Sequence, residues 1–96
     1  MPESATVRMD RDGDRVTVVL EGRLDAATTG RIWREVTGAL DAGPAAALRL
    51  DASRLAYCDL TGLALLLELR RRAPGLEITG LSEETRRLAE LFPAGL

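Results

Sequence analysis

Apolar and polar positions alternate at the start of the chain. Val7 and Met9 fall on one side of 6–10, and Val16, Val18 and Leu20 on one side of 15–20. A period of two is the signature of a half-buried strand. Between the two runs stands Arg11-Asp12-Gly13-Asp14. Its Asp-Gly pair is a strong hairpin signal, so a β-hairpin is predicted. The period then becomes helical. Ile32, Trp33, Val36 and Leu40 form one stripe over 26–40, with Asp25 placed as N-cap and Gly43-Pro44 as the stop. Trp33 reads as core or core edge. Residues 45–50 are a nearly continuous apolar run, suited to an inner strand covered on both faces. A polar stretch follows, and then leucines at 63, 65, 66, 67 and 69 within a helix predicted over 63–71. Its circumference is mostly apolar, which implies deep burial, or burial on one side and docking on the other. Ala73-Pro74-Gly75 ends it. Residues 76–79 read as a short strand. Ser82 caps a last helix over 83–91, with Glu83 and Glu84 where the helix dipole favours them. Leu81, Leu88, Leu91 and Phe92 supply its apolar side.

The predicted order is β-β-α-β-α-β-α, an α/β fold with a small four-stranded mixed sheet and about three packed helices. The loops after the second and third strands then lie at the carboxyl ends of parallel strands, the edge where open α/β sheets bind ligands and partners. The first holds Asp25. The second is read as a polar turn, 51–61, opening into the leucine-rich helix. Asp25, Asp59 and Thr61 are expected to share one surface there. A helix N-terminus with short acidic and hydroxyl side chains suits an anion, a phosphate or a partner protein.

Ninety-six residues make one domain, 1–96, with 46% hydrophobic and 29% charged residues. The net charge of −2 gives no drive toward nucleic acid. All basic residues are Arg, and there is no His, Lys, Asn or Gln. Histidine-based nucleophile pairs, histidine metal sites, lysine Schiff bases and Walker A loops are thereby excluded. No cofactor and no metal are expected. The single cysteine, Cys58, forms no internal disulfide and reads as a small buried hydrophobe. Met1-Pro2-Glu3-Ser4 has no apolar signal-peptide region, and the longest apolar run, 63–67, is too short to span a bilayer. A soluble, cytoplasmic chain is expected. Arg70-Arg71-Arg72 reads as complementing the helix dipole, with contact to an acidic partner or lipid headgroups as the functional alternative. Asp51 and Ser53 read as a local turn in which the Ser53 hydroxyl bonds nearby backbone.

Three segments in this order resemble a STAS domain, the fold of anti-sigma factor antagonists and of accessory domains on transporters. They are Gly22-Arg23-Leu24-Asp25, Asp51-x-Ser53-x-Leu55, and Asp59-x-Thr61-Gly62-Leu63. The resemblance covers 7–92. It implies a non-enzymatic interaction domain whose partner-binding residues are Asp25, Asp59, Leu60, Thr61 and Gly62. In sigma-regulating members a kinase phosphorylates the hydroxyl residue directly after the loop aspartate. Here that residue is Leu60, which accepts no phosphoryl group, and Thr61 remains as the less usual acceptor. Leu60 reads as an apolar anchor, Asp59 as a helix cap and Gly62 as room for a partner backbone. The leucine-rich helix and Tyr57-Cys58-Asp59 look most like the branch associated with Mla-type ABC lipid transporters. That branch implies docking on the transporter ATPase or permease, possible either as a separate subunit or as the N-terminal part of a permease. The chain would then meet the inner face of the plasma membrane only through that partner or permease. The competing partner is an anti-sigma factor of the serine-kinase type. A carboxylate enzyme would instead need Asp25, Asp51 and Asp59 together.

Overall fold

In the computed structural model, which describes residues 4–41 and 47–92, the elements run β1 (Ala5–Asp12), β2 (Arg15–Leu24), α1 (Thr29–Asp41), β3 (Ala47–Cys58), α2 (Leu60–Arg72), β4 (Glu77–Thr79) and α3 (Glu83–Ala89). The sheet order is β1-β2-β3-β4, with β1 antiparallel to β2 and the other neighbours parallel. The predicted order and mixed four-stranded sheet are therefore found. The proposed Gly43-Pro44 stop lies outside the described residues.

The hairpin turns through Gly13 and Asp14, with Asp12 opposite Arg15. Gly13 has φ +62 while Asp14 does not enter the left-handed region, as in a type II′ turn. Strand residues of one parity face the helices: Val18 and Leu20 on β2 and Leu50 and Ala52 on β3 are buried with Ile32, Val36, Leu63, Leu66 and Leu69 in one core. Among the described residues no helix lies over the other sheet face. Arg8, Asp10, Glu21, Arg49 and Glu77 lie there, joined by Arg8–Asp10 at 3.5 Å, Arg8–Glu21 at 3.8 Å and Arg49–Glu77 at 3.5 Å. The third strand is thus an inner strand covered on one face, not on both. Its arginine faces solvent because period two puts Arg49 opposite Leu48 and Leu50.

A larger correction concerns the polar stretch. Residues 51–58 are not a turn but the second half of β3. Asp51 pairs with Val19 on one side and Thr79 on the other. The pairing with β2 runs Val19↔Asp51, then Glu21↔Arg54, and later Gly22↔Leu55, then Arg23↔Tyr57. β3 therefore carries one extra residue at each of two bulges. At the first, the Asp51 carboxylate accepts the Ser53 N–H at 2.9 Å, replacing a ladder partner. Gly80, at φ +79, packs directly on this bulge: a Cβ there would stand 2.6 Å from Ser53 N. The Asp-x-Ser segment is a bulge clamp, with the carboxylate rather than the serine hydroxyl making the backbone bond.

α2 buries Gly62, Leu63, Leu65, Leu66 and Leu69 and leaves Leu60, Thr61, Ala64 and its arginines exposed, so it is buried on one side rather than all round. Trp33 packs at the core edge, and Arg72 lies 4.9 Å over its ring. Arg71 pairs with Glu68 at 3.0 Å. Ser82 caps α3 as expected, accepting Thr85 N–H at 3.1 Å, but the helix stops at Ala89.

Candidate functional site

The carboxyl ends of β2 and β3 meet at the Leu24↔Cys58 pair, and the Asp59 N–H donates to the Leu24 carbonyl at 3.2 Å. The two following turns are thus held side by side. Asp59 is the N-cap of α2, with extended backbone. Its Oδ1 accepts from Gly62 N–H at 3.0 Å and from the Thr61 hydroxyl at 2.6 Å. Burial pushes the Asp59 carboxyl up. Hydrogen bonds from the Thr61 hydroxyl, the Gly62 and Thr61 N–H groups and the Ala26 N–H of the neighbouring turn outweigh it and hold the carboxyl below its ordinary value. Asp59 therefore ties the two turns together and is consumed internally.

α1 starts at Thr29, not at residue 26. Asp25 caps a separate turn before it: Oδ1 accepts Ala27 N–H at 3.0 Å, and its carbonyl accepts Thr28 N–H at 3.1 Å and Thr29 N–H at 2.9 Å. The buried Thr28 hydroxyl braces this turn, donating to the Arg23 carbonyl at 2.8 Å and accepting Asp25 N–H at 3.0 Å. The first helical bond runs from Ile32 N–H to the Thr28 carbonyl. Asp25 does not cap α1: Thr28 stands before the helix, with its hydroxyl engaged by Asp25 N–H and the Arg23 carbonyl rather than by a helix N–H.

Gly62 is buried, and the room it leaves is occupied by its own chain: a Cβ would stand 2.5 Å from the Leu24 carbonyl oxygen and 3.0 Å from Cys58 Sγ. Close packing of α2 on the end of β2 is what requires glycine here. Cys58 is buried beside it, and burial, followed by the nearby Asp59 charge, pushes the thiol up to about 11. It behaves as a packed hydrophobe.

Two side chains stand out at this edge. Leu60 opens α2 and is 49% exposed, and Tyr57, next to last in β3, is 42% exposed. The Arg23 guanidinium lies 4.1 Å over the Tyr57 ring and 3.6 Å from the Asp25 carboxylate. Sequence reasoning missed Arg23, Tyr57 and Thr28 as site residues. Arg23 stands inside a motif that was singled out, but its position opposite Tyr57 depends on the second bulge. Beside Tyr57 a hollow of about 160 Å³ opens between β3 and α3, lined by Leu55, Ala56 and Leu81 among others. Asp51 lies eight residues before Asp59, roughly 20 Å away at ~3.3 Å per residue once the two bulge residues are discounted, so Asp25, Asp51 and Asp59 do not form one cluster.

Two of the lowered carboxylates, Asp51 and Asp59, make a pH prediction. Asp51 is held below its ordinary value by the Ser53 side chain and then the Ser53 N–H. A depressed folded-state pKa contributes stability that is complete above the unfolded value, 3.8 for both, and is lost as pH falls through the folded value. Urea midpoints are expected to fall below about pH 4, and Asp51→Asn with Asp59→Asn should flatten that fall. An unchanged acid limb in the double variant would refute the assignment.

The family model described as "Mlab, STAS domain" matches residues 7–95. Among solved structures, the chain is similar to the anti-sigma factor antagonist from Mycobacterium paratuberculosis. The TM-score is 0.75 at 20% identity, over 93% of this chain and 83% of that one. It is also similar to RsbS from Moorella thermoacetica (0.72, 21%, 85% and 73%) and to phosphorylated SpoIIAA from Bacillus (0.66, 21%, 90% and 82%). At these identities the likeness is one of fold. Among curated proteins no relative matches. With a family match across nearly its whole length and the four-stranded mixed sheet of its structural neighbours, the chain belongs to the STAS domain family.

Proposed function

We propose that this chain is a non-enzymatic binding module that holds a protein partner where β2, β3 and α2 meet. The observation that carries this reading is Leu60, an apolar side chain left 49% exposed at the first position of α2. Among the described residues the exposed large hydrophobics are Tyr57, Leu60 and Leu91, and the first two stand at this edge. A few anchors carry most of the energy of an interface, and tyrosine and arginine, here Tyr57 and Arg23 beside Leu60, are enriched among them. The acidic groups nearby are occupied within the chain, and the adjoining hollow of about 160 Å³ is below the usual size of a small-molecule site.

The partner favoured by the anti-sigma factor antagonists of like fold is an anti-sigma factor. Binding there is constitutive, because leucine offers no hydroxyl at position 60. Thr61 gives no ready substitute: its hydroxyl donates to Asp59, and a phosphate there would face that carboxylate. A second reading is supported by the "Mlab" description of the matching family: docking on the ATPase or permease of an Mla-type ABC phospholipid transporter. Both readings place the chain in the cytoplasm, the second at the inner face of the plasma membrane. Among the described residues no helix is long and apolar enough to cross a membrane.

Affinity capture from the native host, followed by titration of the purified partner, tests this. Recovery of an anti-sigma kinase selects the first reading, and recovery of an ABC ATPase or permease the second. Leu60→Asp is expected to weaken binding ten- to a hundredfold, about 1.4–2.8 kcal/mol, with an unaltered circular dichroism spectrum. Undiminished affinity would place Leu60 outside the interface and remove the reading.

A further inference from the structure

α2 ends in Arg70-Arg71-Arg72, and all three side chains are exposed. A basic residue in a last turn is accounted for by the helix dipole and the free carbonyls there. These three are arranged otherwise. The Leu69 carbonyl is capped by Ala73 N–H at 2.9 Å, not by a guanidinium. Arg71 lies against Glu68. Arg72 reaches across to α1 and lies 4.9 Å over the Trp33 ring. Among the described residues Arg70 and Arg72 join no ion pair, and neither does Arg34, exposed one residue on from Trp33. The Glu68 carboxylate, paired with Arg71, is thus the acidic group bonded to this cluster of arginines.

We infer that this end of α2 is a contact surface for an anionic lipid bilayer. At 3.6 residues per turn, successive helix side chains project about 100° apart. The guanidinium groups of 70, 71 and 72 therefore fan out and do not converge on one phosphate or one carboxylate. A plane of phosphate-bearing headgroups offers each a separate partner. Arginine suits phosphate because its planar fork meets two oxygens at once. The chain beyond is Ala73-Pro74-Gly75, which has no long side chain to hold the arginines off a flat surface. Trp33 keeps the Arg72 guanidinium in place, so contact costs that side chain little further rotamer freedom. The net charge of −2 does not cancel the attraction. Fields are screened over about 10 Å at 0.1 M salt, and the domain is 19 Å across even in its thinnest direction. Acidic groups on its far sides therefore act weakly at this end.

Leu60 and Arg72 stand at opposite ends of α2, about 18 Å apart at ~1.5 Å per residue. Lipid contact at one end leaves the other open to a protein partner, so the inference stands apart from the reading of Leu60.

Cosedimentation of the purified chain with vesicles tests it. Binding is expected to phosphatidylglycerol and not to phosphatidylcholine, and should be lost as salt rises from about 0.05 to about 0.5 M. Arg70→Gln/Arg71→Gln/Arg72→Gln should weaken it about tenfold or more, since each basic residue near an anionic surface contributes roughly a factor of five. The matching triple lysine variant keeps the charge and should keep most of the binding. Arg8→Gln/Arg15→Gln/Arg49→Gln removes as many arginines from the sheet strands and should leave binding nearly unchanged. Inorganic phosphate should displace no more protein than chloride at equal ionic strength. Circular dichroism checks that each variant is folded. Absence of binding to phosphatidylglycerol at low salt overturns the inference. So does equal weakening by the strand arginines, which would make net charge the cause, or equal weakening in the lysine variant or displacement by phosphate, either of which would mark a discrete phosphate pocket. Binding of polyglutamate without binding of vesicles overturns it in favour of an acidic protein segment.

Discussion

Gly62→Ala is expected to destabilise the protein by about 2 kcal/mol, within the range of overpacking in a close-packed core. The sign is the informative part. At an open helical position the same change stabilises by about 1 kcal/mol, because alanine is the better helix former. Here the new methyl group would stand 2.5 Å from the Leu24 carbonyl oxygen, 2.9 Å from Leu24 Cγ and 3.0 Å from Cys58 Sγ. None of these yields easily. The carbonyl also accepts the Asp59 N–H that joins the two turns, and both side chains are buried. Relief requires α2 to lift from the end of β2, which takes Leu63 and Leu66 out of the core. Urea unfolding of the two proteins measures the difference, and equal or greater stability in the alanine variant would show that the helix is not seated as described.

Leu24→Ala is expected to cost more, about 3 kcal/mol or above, as large-to-small changes at fully buried leucines do. Leu24 is 0% exposed and ends β2 directly beneath the site. The variant leaves a cavity between β2 and α2 and loosens both turns, so its binding to the partner should weaken along with its stability. The two changes touch each other and should not add. Removing Leu24 Cγ eliminates one of the close contacts that alanine at 62 would make but leaves the carbonyl contact in place. The double variant should therefore be more stable than the summed losses imply while remaining below either single one. Simple additivity would mean that the two residues do not share the space.

Much of the site was legible as local chemistry. Asp59 caps α2 because a short acid before a helix accepts its early N–H groups, whatever lies around it. Leu60 is exposed because the first position of that helix lies outside its buried stripe. Other parts depended on partners distant in sequence. Local polarity suggested a turn at 51–58, yet Asp51 and Ser53 are polar because their strand has one face in solvent. The two bulges break the alternation that would have marked it as a strand. Asp25 has the chemistry of a helix cap, but Thr28 takes the position before α1, held by the Arg23 carbonyl. Gly62 offered room for a partner, and the chain itself occupies that room.

The amino-acid sequence by itself determined the order of elements, the hairpin, the Ser82 and Asp59 caps and the leucine stripe, because each depends on side-chain periodicity or on bonds made within a few residues. Tertiary structure alone decided what pairs across β2 and β3. An extra residue in a strand is invisible until the opposing strand shows the register, and one such shift places Tyr57 beside Arg23. It also decided which face of the sheet the helices cover. Those properties belong to the packed sheet, where each strand's exposure is set by what lies against it.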